Sequence, residues 1–275
     1  MGEGKGLFGL LAGSALCFLL LFAGFLFCGA FPALLQIPLA EVLFGRRWAP
    51  EEMPPSYGIL PMLAGTCLVT GGAVALAAPI GILAAVYIKE YCPRGLSALY
   101  RGMLAVLAGI PSVIYGFWGM LVLVPAIREC VGGNGNSLLA AILLLAFMLL
   151  PTIAEVSSSA LAEVPQEWLL GARTLGASKI RAIWLVELPA AYEGLRTGIL
   201  LAVSRAMGET MAVSMVAGNQ PLLPRGFRSG IRTLTSGIAM EMGYAVGLHR
   251  QMLYVMGVVL LVLTALAGII WRRRR

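Results

Sequence analysis

Six long apolar runs constrain this chain more than anything else in it. About 20 residues of helix cross the hydrocarbon of a bilayer. Inside lipid every backbone N–H and C=O must find its partner within the protein, so each run must be helical and the helices must pack together. The runs extend from about Leu7 to Leu35, through "ILPMLAGTCLVTGGAVALAAPIGILAAVYI" (59–88) and "MLAVLAGIPSVIYGFWGMLVLVPAI" (103–127). A fourth opens at Leu138 with "LLAAILLLAFMLLPTIA", a fifth covers about Gly194 to Ala217, and the last covers about Met252 to Trp271. With 59% hydrophobic and 12% charged residues, the composition is far from that of a water-soluble domain. The expectation is an all-α integral membrane protein. Six transmembrane helices form one domain over 1–275, with a core over about 59–271. The first run has no short apolar core followed by a small-residue cleavage site, so it reads as a retained helix.

The net charge of +7 is topology before it is anything else. With the N-terminus inside, the inner segments carry Lys5, Lys89, Arg94, Arg101, Arg173, Lys179, Arg181, Arg196 and Arg272 to Arg275, twelve basic residues. The outer loops carry Arg46, Arg47, Arg128, Arg225, Arg228, Arg232 and Arg250, seven. The bias places both termini in the cytoplasm. The terminal "RRRR" reads as a membrane anchor rather than a nucleic-acid contact.

Composition also excludes functions. The chain has one histidine, His249, no aspartate, and five cysteines without C-x-x-C spacing. A catalytic triad, a zinc site and a disulfide framework are therefore not expected, and neither is a metal or cofactor held by this chain. His249 reads as a loop residue. Small residues in "TGGAVALAAPIG" and the Gly194/Gly198 pair suit close helix packing. Pro79, Pro111, Pro125 and Pro151 predict kinks.

One polar segment, 155–193, is too patterned for a plain connector. Pro165 is placed to open a helix, Gly176 to break it, and Pro189 to end the run that follows. Two short helices with a turn at Gly176 would form a knob on the cytoplasmic face. "GARTLGASKIRAIWLVELP" resembles the cytoplasmic loop of binding-protein-dependent ABC importer permeases, in which two alanines follow a glutamate, a glycine comes after three intervening residues, and Ile-x-Leu-Pro closes the motif after nine more. Gly171 and Ala172 match the two alanines, Gly176 the glycine, and Val186, Leu188 and Pro189 the end. Leu170 stands where the family has glutamate. The resemblance implies a type I importer permease-like bundle whose 155–193 loop couples to a separate ATPase. The chain has no G-x-x-x-x-G-K-[ST] of its own, so ATP would be bound by that partner.

"GIPSVIYGFWG" (109–119), "SRAMGETMAVSMVAGN" (204–219) and "RTLTSGIAMEMGYA" (232–245) are similar to the phosphate-specific permeases, the PstC type more than the PstA type. The resemblance implies phosphate transport at the cytoplasmic (inner) membrane. The implied partners are a PstA-like second permease, an ATP-binding subunit dimer and an extracytoplasmic phosphate-binding protein, in a lipid bilayer and without nucleic acid. Another oxyanion, sulfate or molybdate, is the alternative cargo. An ATPase-independent channel or secondary transporter is the alternative class, and a membrane enzyme has no candidate residues.

Arg205 and Glu209 sit inside the fifth run, where an unpaired charge costs about 2.5–3.5 kcal/mol or more. Four residues apart on one helix, they would lie one turn from each other and pair. Two readings stand side by side. In one, Arg205 faces the translocation path and offers its planar fork of donors to an oxyanion, with Glu209 holding it. In the other, the pair is structural. Ser112 and Tyr115 either offer hydroxyls to the anion or bond back to helix carbonyls near Pro111. Arg225, Arg228, Arg232 and Arg250 in the outer loop either concentrate anions, contact a binding protein, or are simply solvated.

Overall fold

The computed structural model describes residues 3–272. It is a helical bundle, and its helices are numbered here in chain order. The first span is α1 (Glu3–Gln36), followed by the short α2 (Leu39–Phe44). A two-stranded antiparallel hairpin then pairs β1 (Trp48–Ala49) with β2 (Ser56–Tyr57), with Trp48 opposite Tyr57. The second span is α3 (Leu60–Glu90) and the fourth is α7 (Leu138–Ala162). The last is α14 (Gly247–Arg272).

The central post is α7: 61% of its most apolar stretch is buried inside the protein, against 11–28% for the other long spans. Glycines let its neighbours approach. A methyl on Gly72 would fall 2.7 Å from Ile142, and one on Gly81 2.8 Å from Ile153. One on Gly194 would fall 2.3 Å from the Ala160 side chain. The small-residue pairs of the sequence thus pack helices within this chain. Ser137 caps α7, its hydroxyl accepting the N–H of Ala140 at 3.3 Å.

Two of the six spans are not continuous. The third is preceded by a separate helix, α4 (Arg94–Gly109), and a break at Ile110 and Pro111. The crossing itself is α5 (Ser112–Trp118), a wide turn over Gly119–Leu123, and α6 (Val124–Val131). The crossing therefore begins at Ser112, not Met103, because proline disfavours helix at the residue before it. The fifth is split into α11 (Tyr192–Gly208) and α12 (Met211–Val216). Among the described residues, five helices are long and apolar enough to cross a membrane; the split fifth span makes six crossings.

Wide turns recur before proline. In 119–123 and in 183–187 the helix opens to i→i+5 hydrogen bonding, with Val124 N–H on the Gly119 carbonyl and Leu188 N–H on the Ile183 carbonyl. Pro125 and Pro189 follow directly. A proline ring collides with the carbonyl four residues back, and the extra residue in the turn gives it room. Pro189 therefore does not end its helix as the sequence suggested: α10 (Leu188–Ala190) runs through it.

Candidate functional site

The fifth span breaks where its charges are. α11 ends at Gly208, and Glu209 has extended backbone, φ −69° and ψ 124°. Arg205 lies in the last turn of α11, where the carbonyl end of the helix favours a cation. Its Nη1 donates to the hydroxyl of Thr152 on α7 at 3.2 Å. Glu209 turns the other way. Its Oε1 accepts the N–H of Ala212 at 3.3 Å, so the carboxylate sits over the start of α12. Its backbone carbonyl accepts the Thr235 hydroxyl at 3.0 Å. The pair expected on one helix face is not formed, and among the described residues no ion pair joins the two side chains. Each charge is instead matched to a helix end, and both ends exist because the helix stops between them.

Tyr115 and Ser112 are separated by the structure. The Tyr115 hydroxyl donates to the Leu107 carbonyl at 2.7 Å. That carbonyl lacks its usual i+4 donor, because residue 111 is proline. Tyr115 is buried, within electrostatic reach of Arg205. Ser112 occupies the first position of α5. At the next turn Gly116 lets α12 in, since a methyl there would lie 2.7 Å from Met215 Sδ. Thr152, Tyr115 and the α11–α12 break therefore meet around α7.

Between α7 and α11 the 155–193 segment is narrower than its sequence bounds, because 155–162 continue α7 and 192–193 begin α11; residues 163–191 fold as two short helical arms. Pro165 precedes α8 (Gln166–Thr174), and Ser178 caps α9 (Lys179–Ala182). Between them Gly176 has φ +91°, a left-handed conformation that a side chain strains. Gly171 is exposed and Ala172 half-buried on α8, while Leu188 packs on the cluster formed by Val86, Leu161 and Ile183. Pro189 is exposed. Trp168, Leu175, Trp184 and Leu185 stand out from the knob, Leu175 being 90% exposed.

Nothing in the residue pattern pointed to what ties this knob to the membrane helices. Glu187, fully buried, accepts from Lys89 Nζ at 2.6 Å, and the same ammonium donates to the Leu161 carbonyl at 2.5 Å. One cation at the end of α3 thus binds the loop and α7 together. Lys179 adds a second link, pairing with Glu90 at 3.5 Å and lying over the Tyr91 ring.

A third charged centre was also missed. On the face that carries the hairpin, Glu241, at the end of α13 (Leu234–Glu241), is buried. Trp48 Nε1 donates to it at 2.9 Å, Arg232 at 2.5 Å, and His249 Nε2 lies 2.8 Å away. His249 belongs to α14 and is buried, so it is not a loop residue. Burial and the negative charge of Glu241 and Glu51 push the Tyr244 hydroxyl above its usual range, with Arg232 opposing them. Among the described residues no three metal-ligating side chains come together.

A membrane bundle with a charged break in its fifth span and a braced knob between the fourth and the fifth has the build of a transport permease. Residues 77–274 match the model of the family described as binding-protein-dependent transport system inner membrane components. The chain belongs to that family. A probable ABC transporter permease, YqgH of Bacillus subtilis, is 39% identical over 229 residues, 82% of this chain and 74% of that protein. The phosphate transport system permease PstC of Mesorhizobium japonicum is 32% identical over 262 residues, 88% of this chain and 79% of that one. In fold the chain resembles a bacterial alginate ABC transporter, solved with an alginate-bound periplasmic protein, at a TM-score of 0.68. That match is 15% identical and covers 98% of this chain and 96% of the other. The inward-facing MetNI methionine transporter aligns at 0.59 and 23% identity, covering 78% and 92%.

Proposed function

We propose that this ABC importer permease moves inorganic phosphate across the cytoplasmic membrane, with Arg205 on the translocation path. The observation that carries the reading is the state of Arg205. Its guanidinium has five donors, and one hydroxyl, that of Thr152, is hydrogen-bonded to it. A half-buried cation so lightly engaged inside a spanning segment is matched to a transient anion, and its planar fork fits phosphate oxygens. Similarity to PstC proteins at about 32% identity supports phosphate over other oxyanions. Glu209 shapes the site by holding the start of α12, while Tyr115 closes the α4–α5 break and Ser112 faces the same break.

In this reading a PstA-like permease completes the pore, and an extracytoplasmic phosphate-binding protein delivers the anion. Two ATP-binding subunits dock on the 155–193 knob around Gly171, Ala172, Gly176, Leu188 and Pro189. ATP is bound there and not by this chain, and both termini are cytoplasmic. Leu170 replaces a polar contact with an apolar one at the dock. The test is uptake of labelled phosphate in a strain lacking this chain, with and without its restoration, in competition with sulfate and molybdate. Restored uptake that sulfate and molybdate do not compete supports phosphate. Uptake displaced by either one at lower concentration than unlabelled phosphate assigns the other oxyanion.

A further inference from the structure

Seven arginines lie in the loops read as outer, and the structure divides several of them by occupation. Arg232 is committed to Glu241 and to the Asn219 carbonyl, 3.1 Å from its Nε. Arg128 donates from Nε and Nη2 to the Asn134 carbonyl at 3.2 and 3.1 Å, fixing the turn before α7. Arg47 pairs with Glu52. Arg225 and Arg228 differ: among the described residues no hydrogen bond or ion pair engages either guanidinium. Both line one cavity of about 660 Å³ together with Asn134, Asn136, Gln220 and Ser229, and no acidic residue contributes to it.

The walls of this cavity are fixed by backbone rather than draped over the surface. Leu138 N–H donates to the Ser229 carbonyl at 2.9 Å and Leu139 N–H to the Phe227 carbonyl at 3.0 Å, so the 226–230 turn is tied to the first residues of α7. Ile231 N–H donates to the Ala217 carbonyl at 2.8 Å, and the Arg225 N–H to the Ser229 hydroxyl at 3.0 Å. Gly218, at φ +83°, allows the strand ends to close: a side chain there would press on Gly230 and on the Asn136 carbonyl. Asn136 Oδ1 is buried without a partner. Two unengaged guanidiniums, amide donors and no carboxylate, in a preformed cavity, are complementary to an oxyanion and to little else.

We propose that this cavity is a reception site for a tetrahedral oxyanion, held between Arg225 and Arg228 before it enters the bundle. α12 joins the two stations: its far end leads into Gly218 and Gln220 at the cavity, and its start is held by Glu209 beside Arg205. The site rests on the phosphate reading for its cargo but not for its existence. A lipid phosphate headgroup offers the same chemistry as free phosphate, so the test separates the two.

The transport assembly is purified through a tag on this chain, in a phosphate-free maltoside detergent. Binding of labelled inorganic phosphate is measured for wild type, the exposed outer-loop variant Arg47→Gln and the double variant Arg225→Gln/Arg228→Gln. Saturable binding is expected in wild type, weakening with salt, retained in Arg47→Gln and at least tenfold weaker in the double variant. Wild-type affinity in the double variant overturns the site, as does an absence of saturable phosphate, sulfate or molybdate binding in wild type. Loss of binding-protein association with phosphate affinity intact also overturns it, assigning the arginines to protein docking. A repeat in phosphatidylglycerol vesicles separates the sources: label excluded by the lipid while anionic lipid co-purifies only with wild type assigns the cavity to headgroups and overturns the proposal. Displacement by sulfate at lower concentration than phosphate leaves the site standing and removes the phosphate reading instead.

Discussion

Glu241 is a buried charge and Arg205 a half-buried one at a helix break, and the protein treats them in opposite ways. Glu241 collects an indole N–H, a guanidinium and an imidazole nitrogen, all within 2.9 Å of its oxygens. Those donors come from the hairpin, from the segment before α13 and from α14. The cluster therefore fastens separate parts of one face to each other. Arg205 has one hydroxyl at 3.2 Å and a helix end. A saturated network specifies a structure, because removing any member strands the others. An undersaturated cation is free to exchange partners, as the proposed place on the anion path requires. Lys89 with Glu187 belongs to the first kind: an ammonium and a fully buried carboxylate, with a backbone carbonyl as third member, lock the 163–191 knob to α3 and α7.

The contrast is broken most directly at Glu241. Glu241→Ala leaves Arg232, His249 and the Trp48 N–H without their acceptor. Deleting one partner of a buried ion pair costs about 3–5 kcal/mol. The expected result is a large fall in the thermal unfolding midpoint in detergent and in the amount of chain in the membrane. An unchanged midpoint would show that the cluster is not a fastening.

A smaller effect on stability, but a large one on transport, is expected at Arg205. Arg205→Gln removes one hydrogen bond to a hydroxyl, so stability should move by about 1 kcal/mol or less. Charge-assisted hydrogen bonds to the passing anion are worth about 1.5–3 kcal/mol, or roughly ten- to hundredfold in rate. Phosphate uptake normalised to membrane abundance should drop by that factor. Normal uptake would remove Arg205 from the path.

The sequence shows the parts imposed by lipid and hides the parts imposed by packing. The spans are legible because hydrocarbon thickness sets their length, and the Gly176 turn because glycine there has a local cause in its φ of +91°. The break at Gly208 was not legible. Glycine alone is tolerated inside helices, and the extended Glu209 is held by Thr235, 26 residues later. The break before Ser112 was half-legible, since Pro111 marks a kink or a stop equally well. Glu241 could not be read at all, because its indole donor is 193 residues away. Four-residue spacing suggested a pair at Arg205 and Glu209 only because one continuous helix was assumed.

That assumption supplies the sharpest and smallest of the tests. If the fifth span were continuous, Arg205 and Glu209 would be neighbours, and contacting residues couple by about 0.5–3 kcal/mol in a double-mutant cycle. In the broken span each charge serves its own helix end, so the coupling should lie below about 0.5 kcal/mol. Glu209→Ala removes the acceptor for the Ala212 N–H, a loss typical of a helix start at about 0.5–2 kcal/mol. Glu209→Gln keeps an oxygen there and should cost less. Unfolding in detergent of wild type, Arg205→Gln, Glu209→Gln and the double variant measures the cycle, and phosphate uptake is read on the same four proteins. Removing Glu209 does not release Arg205 from a partner, so the double variant should be as stable as the sum of the single effects and as inactive as Arg205→Gln alone. A coupling above about 1 kcal/mol, with uptake recovered in the double variant, would restore the structural ion pair and take Arg205 off the path.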